Sequence, residues 1–269
     1  MDLGPLSAEY PTRTIEEEEE EAAEGRAHRC LEPAIVLLSS AIQPKKKKEP
    51  VDVKLLVVGC TPLSCALLSQ WTKEDQIVGS VVLPEVVMTG NAIAPCLADK
   101  TAFIYQLDAD VLVVACQHEV AEERAVAWTD SVLSHIKPHS VLVAGALQGR
   151  NYRGDGDPSE RPLFFGVQNS SLCSGGGLDI PPPLPPGNVQ GGLAAALLTH
   201  CELHRIPASL IIQIEGGGNA VTKESMKSLA EFVQESARSL GSPLDTICSA
   251  AALAQESSRS SGVTGYAYT

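Results

Sequence analysis

Apolar residues along this chain fall into short continuous runs separated by stretches with a helical rhythm. Val53-Lys54-Leu55-Leu56-Val57-Val58 is a β-branched run ending at Gly59, and a run apolar on both faces predicts a strand inside a parallel sheet. Thr61 followed by Pro62 predicts a capped helix start, and the helix continues through Leu63, Leu67 and Leu68 to about Trp71. Ile77–Leu83, Thr101–Leu107, Val111–Cys116 and Ser140–Leu147 read as further strands. Val120, Ala127, Trp128, Val132 and Ile136 make one stripe of a helix over 119–136, acidic in its first turn and followed by Pro138. The rhythm resumes with an Ala/Leu-rich helix over 191–204, Pro207 and a strand Ala208–Ile214. A helix over 222–240 carries Met226, Leu229, Val233 and Leu240 on one face and stops at Gly241. Ser242-Pro243 opens a last helix to about Gln255. Strands alternating with helices predict a single three-layer α/β/α domain around a largely parallel, or mixed, sheet.

The pattern fails at both ends and once inside. Residues 1–50 hold an unbroken acidic run, Glu16 to Glu21, and a basic one, Lys45 to Lys48, with 11 acids against 7 bases overall. Such blocks stay solvated, so 1–50 reads as a disordered, charged N-terminal tail. Only Ala34 to Leu38 could dock on the body, as a strand or a helical turn. The α/β domain spans 51–255, and 148–190 is a Gly/Pro-rich insertion. It contains Gly154-Asp155-Gly156-Asp157-Pro158, Gly175-Gly176-Gly177 and Pro181-Pro182-Pro183-Leu184-Pro185-Pro186. The last run predicts polyproline II, a stiff spacer or a ligand for an SH3 or WW domain. Residues 256–269 form a polar, flexible C-terminal tail.

Composition narrows the function. The 269 residues are 44% hydrophobic and only 4% aromatic, with a net charge of −13. That surface repels the phosphates of nucleic acid and an anionic membrane face, so neither is expected as a partner. The eight cysteines include no C-x-x-C, and Met1 to Glu24 lacks an apolar signal core. Reduced thiols and a cytoplasmic location are the expectation.

Candidate chemistry is sparse. The turn Gly59-Cys60-Thr61-Pro62-Leu63-Ser64 lacks the glycines and lysine of a phosphate loop, and no G-x-S-x-G occurs. His200 and His204 share a helix face but have no evident third ligand, and Asp155 with Asp157 lacks the spacing of a calcium loop. Cys60 and Cys116 read as structural thiols. No catalytic residue, cofactor or metal site is predicted. The chain closes with Gly265-Tyr266-Ala267-Tyr268-Thr269. An aromatic ring beside a carboxylate at the end of a flexible tail suits a docking plug.

Several segments, in order, carry a resemblance. They are the acidic tail leading into Val53 to Val58, Thr101-Ala102-Phe103-Ile104-Tyr105, the helix bearing Trp128, the unit from Gly191 to Ala208 with its Ile206-Pro207-Ala208, and the terminal Ala-Tyr-Thr. This order resembles the proteasome assembly chaperones, on the side of the first subunit of their heterodimer. The resemblance implies a non-enzymatic α/β protein that pairs with a second, related chaperone subunit. It implies binding to α-type subunits of the 20S proteasome, promotion of α-ring assembly and prevention of off-pathway ring pairing. It further implies that Ala267, Tyr268 and Thr269 act as a hydrophobic–Tyr–any tail entering pockets between α-subunits, and it leaves endoplasmic-reticulum-associated or nuclear pools open beside the cytoplasm. The alternative at this point is a phosphorylase-like α/β enzyme or nucleotide-binding protein, which the same fold can host.

Overall fold

The structure is a computed structural model, and it describes residues 32–40, 42, 49–86, 101–158, 160–173, 181–216 and 222–240. In chain order the elements are β1 (Ile35–Leu38), β2 (Val51–Gly59), α1 (Pro62–Trp71), β3 (Ile77–Val82), β4 (Ala102–Asp108), β5 (Val111–Cys116), α2 (Glu122–His135), β6 (Ile136–Gln148), β7 (Leu163–Gln168), α3 (Ser170–Cys173), α4 (Gly192–His204), β8 (Ala208–Glu215) and α5 (Lys223–Ser239). Among the described residues the strands form one sheet in the order β1-β3-β4-β5-β2-β6-β8-β7.

The sheet is mixed. Its centre, β5-β2-β6-β8, is parallel. Antiparallel strands extend it on both sides, β4, β3 and β1 at one end and β7 at the other. Side chains of the central strands alternate between two apolar layers. Leu112, Val114, Val143 and Leu210 join Trp128 and Val132 of α2 and Leu197 and Cys201 of α4. Val113, Leu142 and Ile211 join Leu63, Leu67 and Leu68 of α1 and Leu229 and Val233 of α5. Trp128 is fully buried. Helices thus cover both faces of the parallel strands, as such strands require.

Local chemistry explains the helix starts. Thr61 caps α1: its hydroxyl accepts from the Ser64 amide at 3.1 Å, while the Ser64 hydroxyl accepts from the Thr61 amide at 2.9 Å. Thr222 caps α5 from one side, its hydroxyl accepting from the Ser225 amide at 3.0 Å.

Three elements differ from the sequence expectation. The helix over 119–136 is shorter, and β6 begins at Ile136 with Pro138 inside it. Among the described residues β6 has only β2 beside it there, because pairing with β8 begins at Val141↔Ala208, so the missing proline amide is tolerated. The 148–190 insertion contributes β7, whose Leu163-Phe164-Phe165 core was masked in the sequence by the surrounding Gly and Pro. Asn169, buried at the end of β7, ties that strand to β8: its amide donates to Ile206 O at 2.6 Å, and its carbonyl accepts from Ala208 N at 3.0 Å. The Pro-rich run lies against the outer edge of β7 rather than projecting. Gly166 N donates to Pro182 O at 2.8 Å, and Leu184 N donates to Gly166 O at 3.2 Å. A side chain at Gly166 would meet Pro181 O at 2.9 Å, so glycine permits this approach.

Within the stretch assigned to the N-terminal tail, Ile35–Leu38 forms β1, paired antiparallel with β3. Val36 and Leu38 pack on the α2/α4 layer. Gly79 of β3 allows the contact, since a Cβ there would meet Leu37 O at 2.4 Å. The last helix expected up to Gln255 and the tail 256–269 lie outside the described residues. Truncation should register the role of β1. A chain lacking 1–50 should unfold about 2–4 kcal/mol more easily than one lacking 1–32, from the apolar area β1 buries. Equal thermal midpoints for the two truncations would show that β1 adds nothing.

Candidate functional site

An open α/β sheet usually holds its ligand beyond the carboxyl ends of its parallel strands, where neighbouring strands send their helices to opposite faces. Here β2 leads to α1 on one face and β5 to α2 on the other, so the turns after Gly59 and Cys116 mark that position. The first turn is closed on itself. The Thr61 and Ser64 amides are already bonded to each other's hydroxyls, Pro62 has no amide hydrogen, and a Cβ at Gly59 would meet Leu68 Cδ1 at 2.7 Å. The glycine serves helix packing, and the amides that would face a phosphate are used in the cap.

The second turn brings thiols together. The Cys65 thiol donates to Cys116 O at 3.0 Å, and Cys60 lies beside Cys116. A hydrogen bond with Cys60 and burial push the Cys116 thiol up, and burial does the same to Cys65. On α4, burial pushes Cys201 from 9.0 up to about 12. Cys65, Cys116 and Cys201 hold their protons at neutral pH and act as packing groups, as the sequence reading of Cys116 expected. At the same end of the sheet, burial and the charge of Glu119 raise the Glu215 carboxyl. That pair comes from two distant turns, and no spacing in the sequence announces it.

The other sequence candidates resolve into local structure. The His200 and His204 rings stack with centroids 4.2 Å apart, and His200 Nδ1 lies 3.1 Å from Asp130 Oδ1 on α2. The pair joins two helices. Asp155 and Asp157 sit in a turn held by its own backbone: Tyr152 donates to Asp155 O at 3.0 Å, and Asp157 O accepts from Glu160 N at 3.1 Å. Among the described residues no group of three or more His, Cys, Asp or Glu is arranged to hold a metal ion. No helix among them is long and apolar enough to cross a membrane. Ala267, Tyr268 and Thr269 lie outside the described residues.

What the described residues do offer is apolar surface. Ile35 and Leu37 on β1, Val126 on α2, Leu203 on α4 and Val189 before α4 are exposed. The α4 sequence, GLAAALLTHCELH, is apolar on nearly every side, yet only part of it faces the sheet and α2. A helix of that composition normally has neighbours all round.

No protein-family model matches the chain. It is 27% identical over 175 residues to Proteasome assembly chaperone 1 of Nematostella vectensis, a match covering 62% of this chain and 67% of that protein. This chain is a sequence relative of proteasome assembly chaperone 1. A second protein of that name, from Danio rerio, is 27% identical over 128 residues, 44% of this chain and 44% of that one. The alignment thus spans less than half of the second relative's length. Among solved structures, Pyrococcus furiosus PbaA, an archaeal homolog of proteasome-assembly chaperone, aligns at a TM-score of 0.47 and 11% identity, covering 84% of this chain and 95% of that one. Pyrococcus furiosus PbaB, an archaeal proteasome activator, aligns at 0.49 and 13%, covering 85% and 98%.

The thiols give a direct check of the packing. Iodoacetamide at pH 8 should modify exposed Cys173 well before Cys116 or Cys201; early modification of Cys201, mapped by mass spectrometry, would contradict the burial. Because Cys201 keeps its proton to about 12 when folded while the unfolded thiol loses it near its ordinary value, stability should fall as pH rises above about 9. The slope is about 1.4 kcal/mol per pH unit for each such thiol. A chemical-denaturation series that stays flat from about pH 8.5 to 10.5 would rule this out.

Proposed function

We propose that this chain is a proteasome assembly chaperone subunit that acts by binding alone, in the cytoplasm. It pairs with a second, related α/β chaperone subunit and binds α-type subunits of the 20S proteasome. It thereby promotes α-ring assembly and prevents off-pathway ring pairing. The observation that carries this reading is the similarity to Proteasome assembly chaperone 1 over 175 residues. The closed phosphate turn and the proton-holding thiols at the carboxyl edge support a binding role rather than the enzyme alternative.

In this reading the tail supplies part of the grip. Ala267, Tyr268 and Thr269 enter a pocket between adjacent α-subunits while the body rests on the ring surface. Burying the Tyr268 ring should contribute about 1–3 kcal/mol, or roughly five- to more than a hundred-fold in affinity. Tyr268→Ala should therefore weaken recovery of α-type subunits in a pull-down at limiting concentration, while recovery of the partner chaperone stays unchanged. Equal recovery of α-type subunits by both forms would remove the tail from the account. Failure of the wild-type chain to recover any α-type subunit would remove the function itself.

A further inference from the structure

The ends of β2 and β5 bring Cys60, Cys65 and Cys116 together, and Cys60 and Cys116 are arranged as a pair. The parallel register of the two strands runs to Gly59↔Ala115, so Cys60 and Cys116 stand beside each other one step further on. Residues at one register position point to the same face of a sheet. Accordingly, both cysteines pack on the α2/α4 layer, and their thiols are hydrogen-bonded. Cys65 is placed differently. It packs on the opposite layer, and its thiol meets the Cys116 carbonyl, at 3.0 Å, rather than the Cys116 sulfur. Neighbouring strands lie about 4.8 Å apart, within the Cα separation of about 4.4–6.8 Å that a disulfide spans. Cys60 is partly exposed, whereas Cys116 is buried.

We propose that Cys60 and Cys116 are a redox-sensitive pair that closes into a reversible disulfide by exchange with glutathione disulfide, tying the end of β2 to the end of β5. The partly exposed Cys60 sulfur attacks first. A Cys60–glutathione S–S bond forms, the S–S bond of glutathione disulfide breaks, and one glutathione leaves, taking up the Cys60 proton. Cys116 then attacks the Cys60 sulfur. The Cys60–Cys116 bond forms, and the second glutathione leaves with the Cys116 proton. Two protein thiols are oxidised and one glutathione disulfide is reduced to two thiols. Cys116 is the slower partner, because its surroundings keep it protonated at neutral pH. Disulfides that form in a reducing compartment are characteristically transient and redox-sensing, which suits a pair packed in its reduced form. The bond joins the turn that caps α1 through Thr61 to the turn that leads into α2. Oxidation therefore fixes to each other the starts of two helices on opposite faces of the sheet.

The test incubates the full chain with glutathione disulfide at about pH 8 and maps the products by mass spectrometry without reduction, while circular dichroism follows the fold. The wild type should link Cys60 to Cys116, keep its native spectrum, and return to the dithiol form in dithiothreitol. Cys116→Ser should stop at a glutathione adduct on Cys60. Cys60→Ser should leave Cys116 unmodified over the same period, and Cys65→Ser should still link Cys60 to Cys116. Should Cys116→Ser fold poorly, the wild-type map and Cys60→Ser decide. A folded wild type in which Cys60 and Cys116 stay unlinked at saturating glutathione disulfide would overturn the proposal. So would a link that appears only after the native spectrum is lost, or one that joins Cys60 to Cys65 instead.

Discussion

Parallel strands can be joined only by crossovers long enough to hold helices, and that requirement organises this molecule. The quartet β5-β2-β6-β8 is buried on both faces, so α2 and α4 must cover one side and α1 and α5 the other. Each crossover also consumes the groups at the strand ends. Thr61 and Ser64 use their amides in a cap, and the Cys65 thiol of α1 bonds to Cys116 O at the end of β5. The position where many α/β proteins keep a ligand is here occupied by the means of holding the helices in place. Surface left for recognition among the described residues therefore lies at the periphery, on the outer sides of the helices.

The periphery is also where the sequence was hardest to read. The continuous apolar runs at Val53–Val58 and Val111–Cys116, the Thr61-Pro62 start and the stripe through Trp128 were legible because burial on a sheet or helix face leaves a period. Edge strands leave less. β1 is four residues long between charged blocks, and its apolar character alone could not distinguish a strand from a helical turn. β7 was hidden by flanking glycine and proline, whose role became plain only once Gly166 was seen against Pro181 and Pro182. Pro138 suggested a break because proline lacks an amide hydrogen, but at that point β6 has, among the described residues, a neighbouring strand on one side only. Of the antiparallel strands, β3 and β4 were legible as apolar runs, whereas β1 and β7 were not.

The candidate site followed the same division. Motif spacing gave no reason to expect a phosphate loop, a hydrolase elbow or a metal triad, and the local geometry supplies physical reasons in the self-capped turn, the His200–His204 stack and the protonated thiols. Exposed apolar residues gave no sequence signal, because Val126 and Leu203 look like any other helix residue until the packing reveals which sides are covered. Proximity of Glu119 to Glu215 likewise depends on the fold.

Taken together, an α/β body with a packed interior, apolar peripheral surfaces and a sequence relationship to proteasome assembly chaperone 1 fits a protein that works by holding other polypeptides. The most direct measurement is native mass spectrometry of the tagged, full-length chain recovered from cells. The account predicts complexes containing this chain, one related α/β subunit and α-type proteasome subunits, including species without β-type subunits. Recovery of the chain with neither a related subunit nor any α-type subunit would contradict it.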